Sequence, residues 1–211
     1  FYKLKGDGTS LSPFFVITPM SPIEKLEKER LLDDFVKVDR LNITAYGENF
    51  DRLLVTAKDA VCVLVKNTDS GLFYFVNQLR ACKHKEVDPT TIEVVAGMLE
   101  SREQIEIAVR RECIEEIGYD ITNLQFWGSS FSAPGIVTEK MYFFYAETND
   151  NLKKNEGGGL DAEHENIKIL TFTEEQLWNR LQNGEWEDTK TVVLVQRYFL
   201  EKLSTEGLKK G

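Results

Sequence analysis

Residues 97–119 read GMLESREQIEIAVRRECIEEIGY, and from Glu103 to Ile117 this stretch holds neither Gly nor Pro. Apolar Ile105, Ala108, Val109, Cys113 and Ile117 recur there at three- and four-residue steps, the spacing that lines one face of an α-helix. The pattern predicts a helix with one buried face, a stop at Gly118 and a tight turn permitted by Gly97 ahead of it. Its other side is acidic. Glu112 and Glu116 stand four apart, Glu115 lies beside them, and Arg111 sits four before Glu115, where it can steady that carboxylate. Three carboxylates at the negative end of a helix dipole repel one another and raise each other's proton affinity unless a cation neutralises them. A divalent metal answers that need, and all-oxygen donors favour Mg²⁺ or Mn²⁺ over zinc. A solvated face is the commoner fate of a glutamate-rich helix. The fixed offsets of Gly97, Glu103, Arg111, Glu112, Glu115, Glu116 and Gly118 argue instead for a metal-assisted phosphate chemistry.

The rest of the chain suits a small-molecule enzyme. Its 211 residues can hold one core with a small extra subdomain. A net charge of −9 and a pI of about 4.9 disfavour a nucleic-acid surface, and leave phosphate binding to a metal and a few local Arg or Lys residues. No apolar run approaches the ~20 residues that span a bilayer, so no membrane partner is expected, and nothing at the start resembles a signal peptide. Phe1 is not an initiator, which leaves room for residues before it. Cys62, Cys82 and Cys113 are odd in number and form no CxxC pair, so reduced thiols and a cytoplasmic setting are expected.

Punctuation and alternation supply the architecture. Residues 1–30, with Gly, Ser and Pro and then a charged run at 24–30, are expected to be an arm. Alternation over residues 35–58 predicts two or three antiparallel strands, a small sheet ahead of the main domain. Residues 60–66 and 72–79 flank Asn67-Thr-Asp-Ser-Gly71, a hairpin signal. Residues 92–96 predict a short buried strand before the acidic helix, and strands follow near 124–130, 140–146 and 167–172. Thr173, with Gln176 three on, predicts a capped helix ending near Gly184, and a last helix covers about 189–203. The chain divides into an N-terminal arm and β subdomain, 1–58, and a main domain, 59–211. Strands with helices on their faces imply an α/β sandwich.

The acidic segment resembles a complete Nudix box, G-x5-E-x7-R-E-U-x-E-E-x-G-U, with Cys113 and Tyr119 at the bulky or apolar positions U. Cys113 is smaller than the usual aliphatic residue and belongs to the buried face. The resemblance implies a Nudix-type α/β/α sandwich with a mixed sheet, preceded here by the small antiparallel sheet. It extends over about residues 35–203. Ser132-Ala-Pro-Gly135, with Pro134 sixteen residues beyond Gly118, resembles the proline-bearing loop of the ADP-ribose and nucleoside-diphosphate-sugar hydrolase subfamily. Gln78-Leu-Arg80 is similar to its Q-x-R, Glu93-Val-Val-Ala-Gly-Met98 to the strand feeding its box, Glu139 to the acid after its proline loop, and residues 159–167 to its Gly- and Glu-rich catalytic loop. Thr189-Lys-Thr191 is similar to the segment opening its last helix.

The resemblance also implies roles. Glu112 and Glu116 are the first metal ligands, with Glu115 close behind and the Ala96 carbonyl added; Arg111 steadies the cluster. The general base is Glu163 or Glu165, of which Glu163 aligns better, carried by a Gly-rich loop after Glu156-Gly-Gly-Gly159 whose backbone can swing a carboxylate over the site. His164 between them is read as a bystander, and Trp127, Trp178 and Trp186 as packing residues. Arg80 pairs with phosphate oxygens, for which a forked guanidinium suits better than an ammonium. Met98, Pro134, Gly135 and Glu139 line the substrate cleft. The expected reaction is Mg²⁺-dependent hydrolysis of a nucleoside diphosphate sugar, with ADP-ribose leading and UDP-glucose, GDP-mannose and ADP-glucose as rivals. A homodimer built through the N-terminal strands is implied as well. A non-catalytic Nudix module is the reading from another class; it typically loses the metal carboxylates, and all three are present here. An RNA-decapping relative would favour a basic groove, which this composition lacks.

Overall fold

The computed structural model describes residues 23–34, 36–160 and 166–208, with side chains as far as Ser204. Three antiparallel strands open it, β1 (Ile23–Asp33), β2 (Lys37–Ala45) and β3 (Glu48–Thr56), in that spatial order. β2 and β3 meet at Tyr46-Gly47, whose φ angles of 54° and 74° are the pair of positive values a type I′ hairpin turn demands. The charged run 24–30, expected as an arm, is the body of β1. Its charges are spent across the strand pair: Glu29 holds Arg40 at 2.8 Å, and Lys28 and Arg30 both hold the buried Asp39. Exposed charge along an edge strand also discourages further pairing, which is why the run reads as polar linker when taken alone. β3 is tied to the main body through Val55, which donates to the Ile136 carbonyl at 2.7 Å and accepts from the Thr138 amide at 3.0 Å.

The main sheet is built around β4 (Ala60–Asn67), in which Val61, Val63 and Val65 point to one face and Cys62 and Leu64 to the other, all fully buried. A strand apolar on both faces has to be covered twice. It pairs with β5 (Phe73–Leu79) antiparallel, and along its other edge with β9 (Lys140–Thr148) in parallel. β6 (Thr90–Glu93) pairs with β5 and β7 (Val95–Met98) with β4. β8 (Thr122–Phe131) and β10 (Lys168–Phe172) complete the mixed sheet in the order β10-β5-β4-β9-β8. The single strand expected over 92–96 is therefore two. The chain changes partner at Val94, whose amide is taken by the Thr191 hydroxyl at 2.9 Å rather than by a strand.

One face is covered by α1 (Ile105–Glu112), which buries Ala108 and Val109 and runs directly into a wide π-helical turn, Cys113–Ile117, burying Cys113 and Ile117. The other is covered by α2 (Glu174–Gln182) and α3 (Thr189–Leu208), which bury Leu177, Leu194 and Val195 against Phe73, Phe75 and Phe143. Thr173 caps α2 through the Gln176 amide, and the Gln176 side chain returns the bond, the capping box legible in the sequence. Trp186 stacks on Phe75 at 5.0 Å and Trp127 on Tyr145 at 5.2 Å, while Trp178 packs edge-on against Phe199, so all three serve as packing residues. Among the described residues no helix is long and apolar enough to cross a membrane.

Candidate active site

The acidic helix lies against β7 where the absence of a side chain on Gly97 makes room for a carboxylate. A Cβ on Gly97 would fall 1.9 Å from Glu112 Oε1 and 2.0 Å from its Cδ, so the bare backbone of Gly97 is the seat of the Glu112 carboxylate. Glu112 and Glu116 keep only 8% and 2% of their surface exposed. Glu116 Oε2 accepts the Ala96 amide at 3.2 Å, a bond from helix to strand. Carboxylates so deeply placed need compensation by hydrogen bonds and positive charge.

Arg111 supplies much of it. Its Nε and Nη2 donate to the two oxygens of Glu103 at 2.9 and 3.0 Å. Nη1 donates to Glu112 Oε1 at 2.7 Å and Glu115 Oε2 at 3.0 Å, and Nη2 also reaches the Met98 carbonyl at 3.1 Å. One positive charge is thus divided among three carboxylates. The bond from Arg111 holds the Glu103 carboxyl below its ordinary range, and the same bond, with Glu112 and Glu115 behind it, pushes the guanidinium's pKa upward. Among the described residues no three acidic, cysteine or histidine side chains already form a metal cage. The carboxylates expected to meet on a metal meet in part on Arg111. The donor set nevertheless fits a hard divalent ion: every candidate ligand is an oxygen, the carboxylates outnumber the guanidinium, and the Gly97 seat leaves Glu112 against the strand that bears the Ala96 carbonyl.

The helix end is closed from behind. Gly118 takes the left-handed conformation, φ 81°, as the expected stop. The amides of Gly158 and Gly159 cap the carbonyls of Glu116 and Glu115 at 2.9 and 3.0 Å, and those of Lys154 and Asn155 reach the Gly118 carbonyl. Gly157, at φ 66°, approaches so closely that a Cβ would lie 2.6 Å from the Glu116 carbonyl oxygen. The glycine run that leads into the expected swinging loop is docked onto the helix as far as Gly159, and Ile167 returns to it through the Gly158 carbonyl at 3.2 Å. The base candidates Glu163 and Glu165, and His164 between them, lie outside the described residues.

A second wall is built by the end of β5, the end of β6 and the start of α3. Arg80 gives Nε and Nη2 to the two oxygens of Glu93 at 2.6 and 2.7 Å, and Lys190 also donates to Glu93 and, at 2.9 Å, to Asp188. Asp188 in turn accepts the Thr191 amide at 2.9 Å and its hydroxyl at 2.6 Å. Burial works against the Glu93 charge, but the Arg80 bond and the Lys190 ammonium hold its carboxyl below the usual range. Burial likewise opposes charge on Lys190, and Asp188 and Glu93 together carry its pKa above the ordinary value.

Both walls open onto one cavity of about 610 Å³. Of the residues singled out from sequence, Arg80, Ala96, Met98, Arg111, Glu112, Glu115 and Glu139 line it; Glu116 lies just behind, on the Ala96 amide. Pro134 and Gly135 sit on an exposed turn outside the lining, although Ser132 and Glu139, joined at that turn's base by a 3.1 Å backbone bond, are part of it. Sequence reasoning gave no role to Glu93, Lys190, Asp188 or Lys58. Glu93 and Lys190 stood inside segments singled out by resemblance, and the usable signal was a lone acid in an otherwise apolar strand, which demands a cation.

Comparison with known proteins agrees with this geometry. Residues 56–193 match the family model described as NUDIX domain. The chain is 34% identical over 135 residues to the GDP-mannose pyrophosphatase of Escherichia coli strain K12, covering 63% of this chain and 69% of that one. It is 27% identical over 194 residues to the GDP-mannose pyrophosphatase of Pectobacterium atrosepticum, covering 89% and 99%. A protein of the same name from Shigella boydii is 39% identical over 104 residues, 49% of this chain and 53% of its own. A mixed sheet clasped between helices, with its acidic helix seated on a glycine, is thus matched by a family model covering most of the chain. The chain belongs to the Nudix family and is a Nudix pyrophosphohydrolase.

Proposed function

We propose that this protein hydrolyses the pyrophosphate bond of a nucleoside diphosphate sugar with the help of Mg²⁺, adding water to release a nucleoside monophosphate and a sugar phosphate. The observation that carries the reading is the pairing of walls on one cavity: carboxylates in excess over Arg111 on one side, and Arg80 and Lys190 on the other. The volume suits a ligand of nucleotide-sugar size. GDP-mannose becomes the first substrate to test because relatives covering up to 89% of the chain carry that name. ADP-ribose, to AMP and ribose 5-phosphate, is the second reading, favoured by the similarity of Gln78-Leu-Arg80 and the Pro134 loop to that subfamily.

Glu112 and Glu116 would hold the metal, joined by Glu115 and the Ala96 carbonyl. Bound there, Mg²⁺ supplies charge withdrawal from phosphorus and a lowered pKa for water. Arg111 keeps the carboxylates in place. Arg80, which spends two of its five N–H groups on Glu93, turns the remainder to phosphate oxygens. Met98 packs against the ligand and Glu139 meets a sugar hydroxyl. Glu163 or Glu165 takes the proton from the attacking water. The N-terminal sheet exposes apolar side chains on both faces, Ile23 and Leu26 on one and Leu32 and Leu53 on the other, which supports a homodimer packed on this sheet, and a cytoplasmic setting accords with the unpaired thiols.

The test is a panel of GDP-mannose, ADP-ribose, UDP-glucose and ADP-glucose with Mg²⁺ in excess and with chelator, scored for nucleoside monophosphate. Turnover of at least one, abolished by chelator, is expected. Tight binding without turnover of any would replace the enzyme reading by a binding module. Glu163→Gln and Glu165→Gln, measured side by side, separate the two base candidates, and sedimentation of the intact chain checks the dimer.

A further inference from the structure

We infer that Glu93 is a positioning residue, whose one carboxylate orients two cations on the cavity wall for the phosphates of the substrate. The inference rests on the pyrophosphohydrolase reading and adds a residue to it. Glu93 is 2% exposed at the end of β6 and has no surface of its own on the cavity. Both of its oxygens are engaged: Oε1 by Arg80 Nε, Oε2 by Arg80 Nη2 and by the Lys190 ammonium. A bidentate fork fixes the plane of a guanidinium as well as its position. With that edge occupied, the other edge of Arg80 is the one left to the cavity.

The network is anchored on three elements. Arg80 lies just past β5, and its amide is held by the Pro89 carbonyl at 2.9 Å. Lys190 opens α3, whose first turn is clamped by Asp188 on the Thr191 amide, and the Thr191 hydroxyl accepts the amide of Val94, next in chain to Glu93. Movement of any one of them shifts the cations together. A buried ion pair is weak grounds for stability, since desolvation consumes much of the attraction. What it does provide here is geometry.

Charge bookkeeping separates this role from a simple field effect. Arg80 and Lys190 are balanced by Glu93 and Asp188, so the wall is close to neutral and holds an anion by aimed N–H groups. Glu93→Gln adds one net positive charge. If the wall acted through its field, the variant would bind anions more tightly; if Glu93 positions the cations, it binds them less well.

The experiment is calorimetric binding of inorganic pyrophosphate, without turnover, to the intact chain and to Glu93→Gln, Arg80→Ala and the double variant. Weakening of about tenfold or more is expected for Glu93→Gln, the size of one charge-assisted hydrogen bond, and a smaller further loss, the part carried through Lys190, when it is added to Arg80→Ala. In turnover the same variant should raise KM by a similar factor and leave kcat within about twofold. Unchanged or tighter pyrophosphate binding, or full loss in the Arg80→Ala background, overturns the inference. If Glu93→Gln does not fold, the wild-type Arg80 Nε–H resonance, assigned through Arg80→Lys, decides. Slow exchange with water supports the fork, and exchange at the rate of free arginine overturns it. A wild-type protein that cleaves no nucleotide sugar yet loses pyrophosphate on Glu93→Gln would sink the substrate reading and leave the positioning role standing.

Discussion

The two walls of the cavity solve opposite charge problems. On the helix wall one guanidinium, Arg111, is shared by Glu103, Glu112 and Glu115; on the other, one carboxylate, Glu93, is shared by Arg80 and Lys190. The first gathers three carboxylates on one guanidinium, the arrangement that the proposed cation site would use. The second is balanced by Asp188 and is poised to aim donors. Under the proposed function a pyrophosphate would meet one wall of each kind, and neither would serve if duplicated.

The comparison breaks most sharply at the proposed metal ligands. Glu116→Gln and Glu112→Gln keep shape and remove charge from the wall that runs on excess charge. Each is expected to lower kcat/KM by about a thousandfold, since metal stabilisation of the transition state amounts to several kcal/mol. Steady-state kinetics against Mg²⁺ concentration is the check, and near-wild-type turnover from either variant would end the metal assignment. Gly97→Ala tests the seat rather than the ligand. The added methyl must displace Glu112, because its three closest contacts, at 1.9, 2.0 and 2.3 Å, are all atoms of that carboxylate. A loss of about a hundredfold in activity is expected, together with about 1–3 kcal/mol of stability from overpacking, measured by denaturant unfolding.

Lysine replacements then set one wall against the other. In Arg111→Lys a single ammonium cannot span the three carboxylates that a fork reaches, so both stability and kcat should fall. In Arg80→Lys the fork to Glu93 is lost while the charge stays. Its expected signature is a KM raised about tenfold with kcat nearly intact. If the two variants behaved alike in a KM and kcat split, the division of labour between the walls would collapse.

How much of this was readable from residues alone follows the range of the interactions. The helix over 105–117, its Gly118 stop, the Thr173 capping box and the Asn67 hairpin are set by contacts within a few positions, and each is where its local signal put it. The helix wall was legible for the same reason, since Arg111 and Glu115 are four apart. The second wall was not. Glu93 meets Lys190 across 97 residues, and nothing local in either segment announces the other. Residues 24–30 misled in the same way, because a strand of alternating charge becomes a strand only when Asp39, Arg40 and their partners are opposite it. The π turn at Cys113–Ile117 also lacks a local signal, and it is the docked backbone of Gly158 and Gly159 that meets the carbonyls there.

The smallest expected effect contrasts the walls through acid. Glu103, bonded to Arg111, and Glu93, bonded to Arg80, both hold their protons less tightly in the folded protein than the ordinary glutamate value of about 4.3. The unfolded chain therefore takes up protons first as pH falls. The stability these groups contribute is complete above that value and is lost as pH drops through it towards the folded values. Thermal melting should be nearly flat from about pH 7 to about pH 5 and should fall below about pH 4. Glu93→Gln removes one of the two titrations. Its melting temperature should lie below wild type at neutral pH, and the gap should narrow in acid as wild-type Glu93 becomes protonated. Glu103→Gln should narrow it less, because the Glu103 side chain is 10% exposed against 3% for Glu93 and water moderates what its ion pair contributes. A gap that stays constant through the acid limb would mean that Glu93 is held by shape rather than by charge, and the contrast between the two walls would then rest on geometry alone.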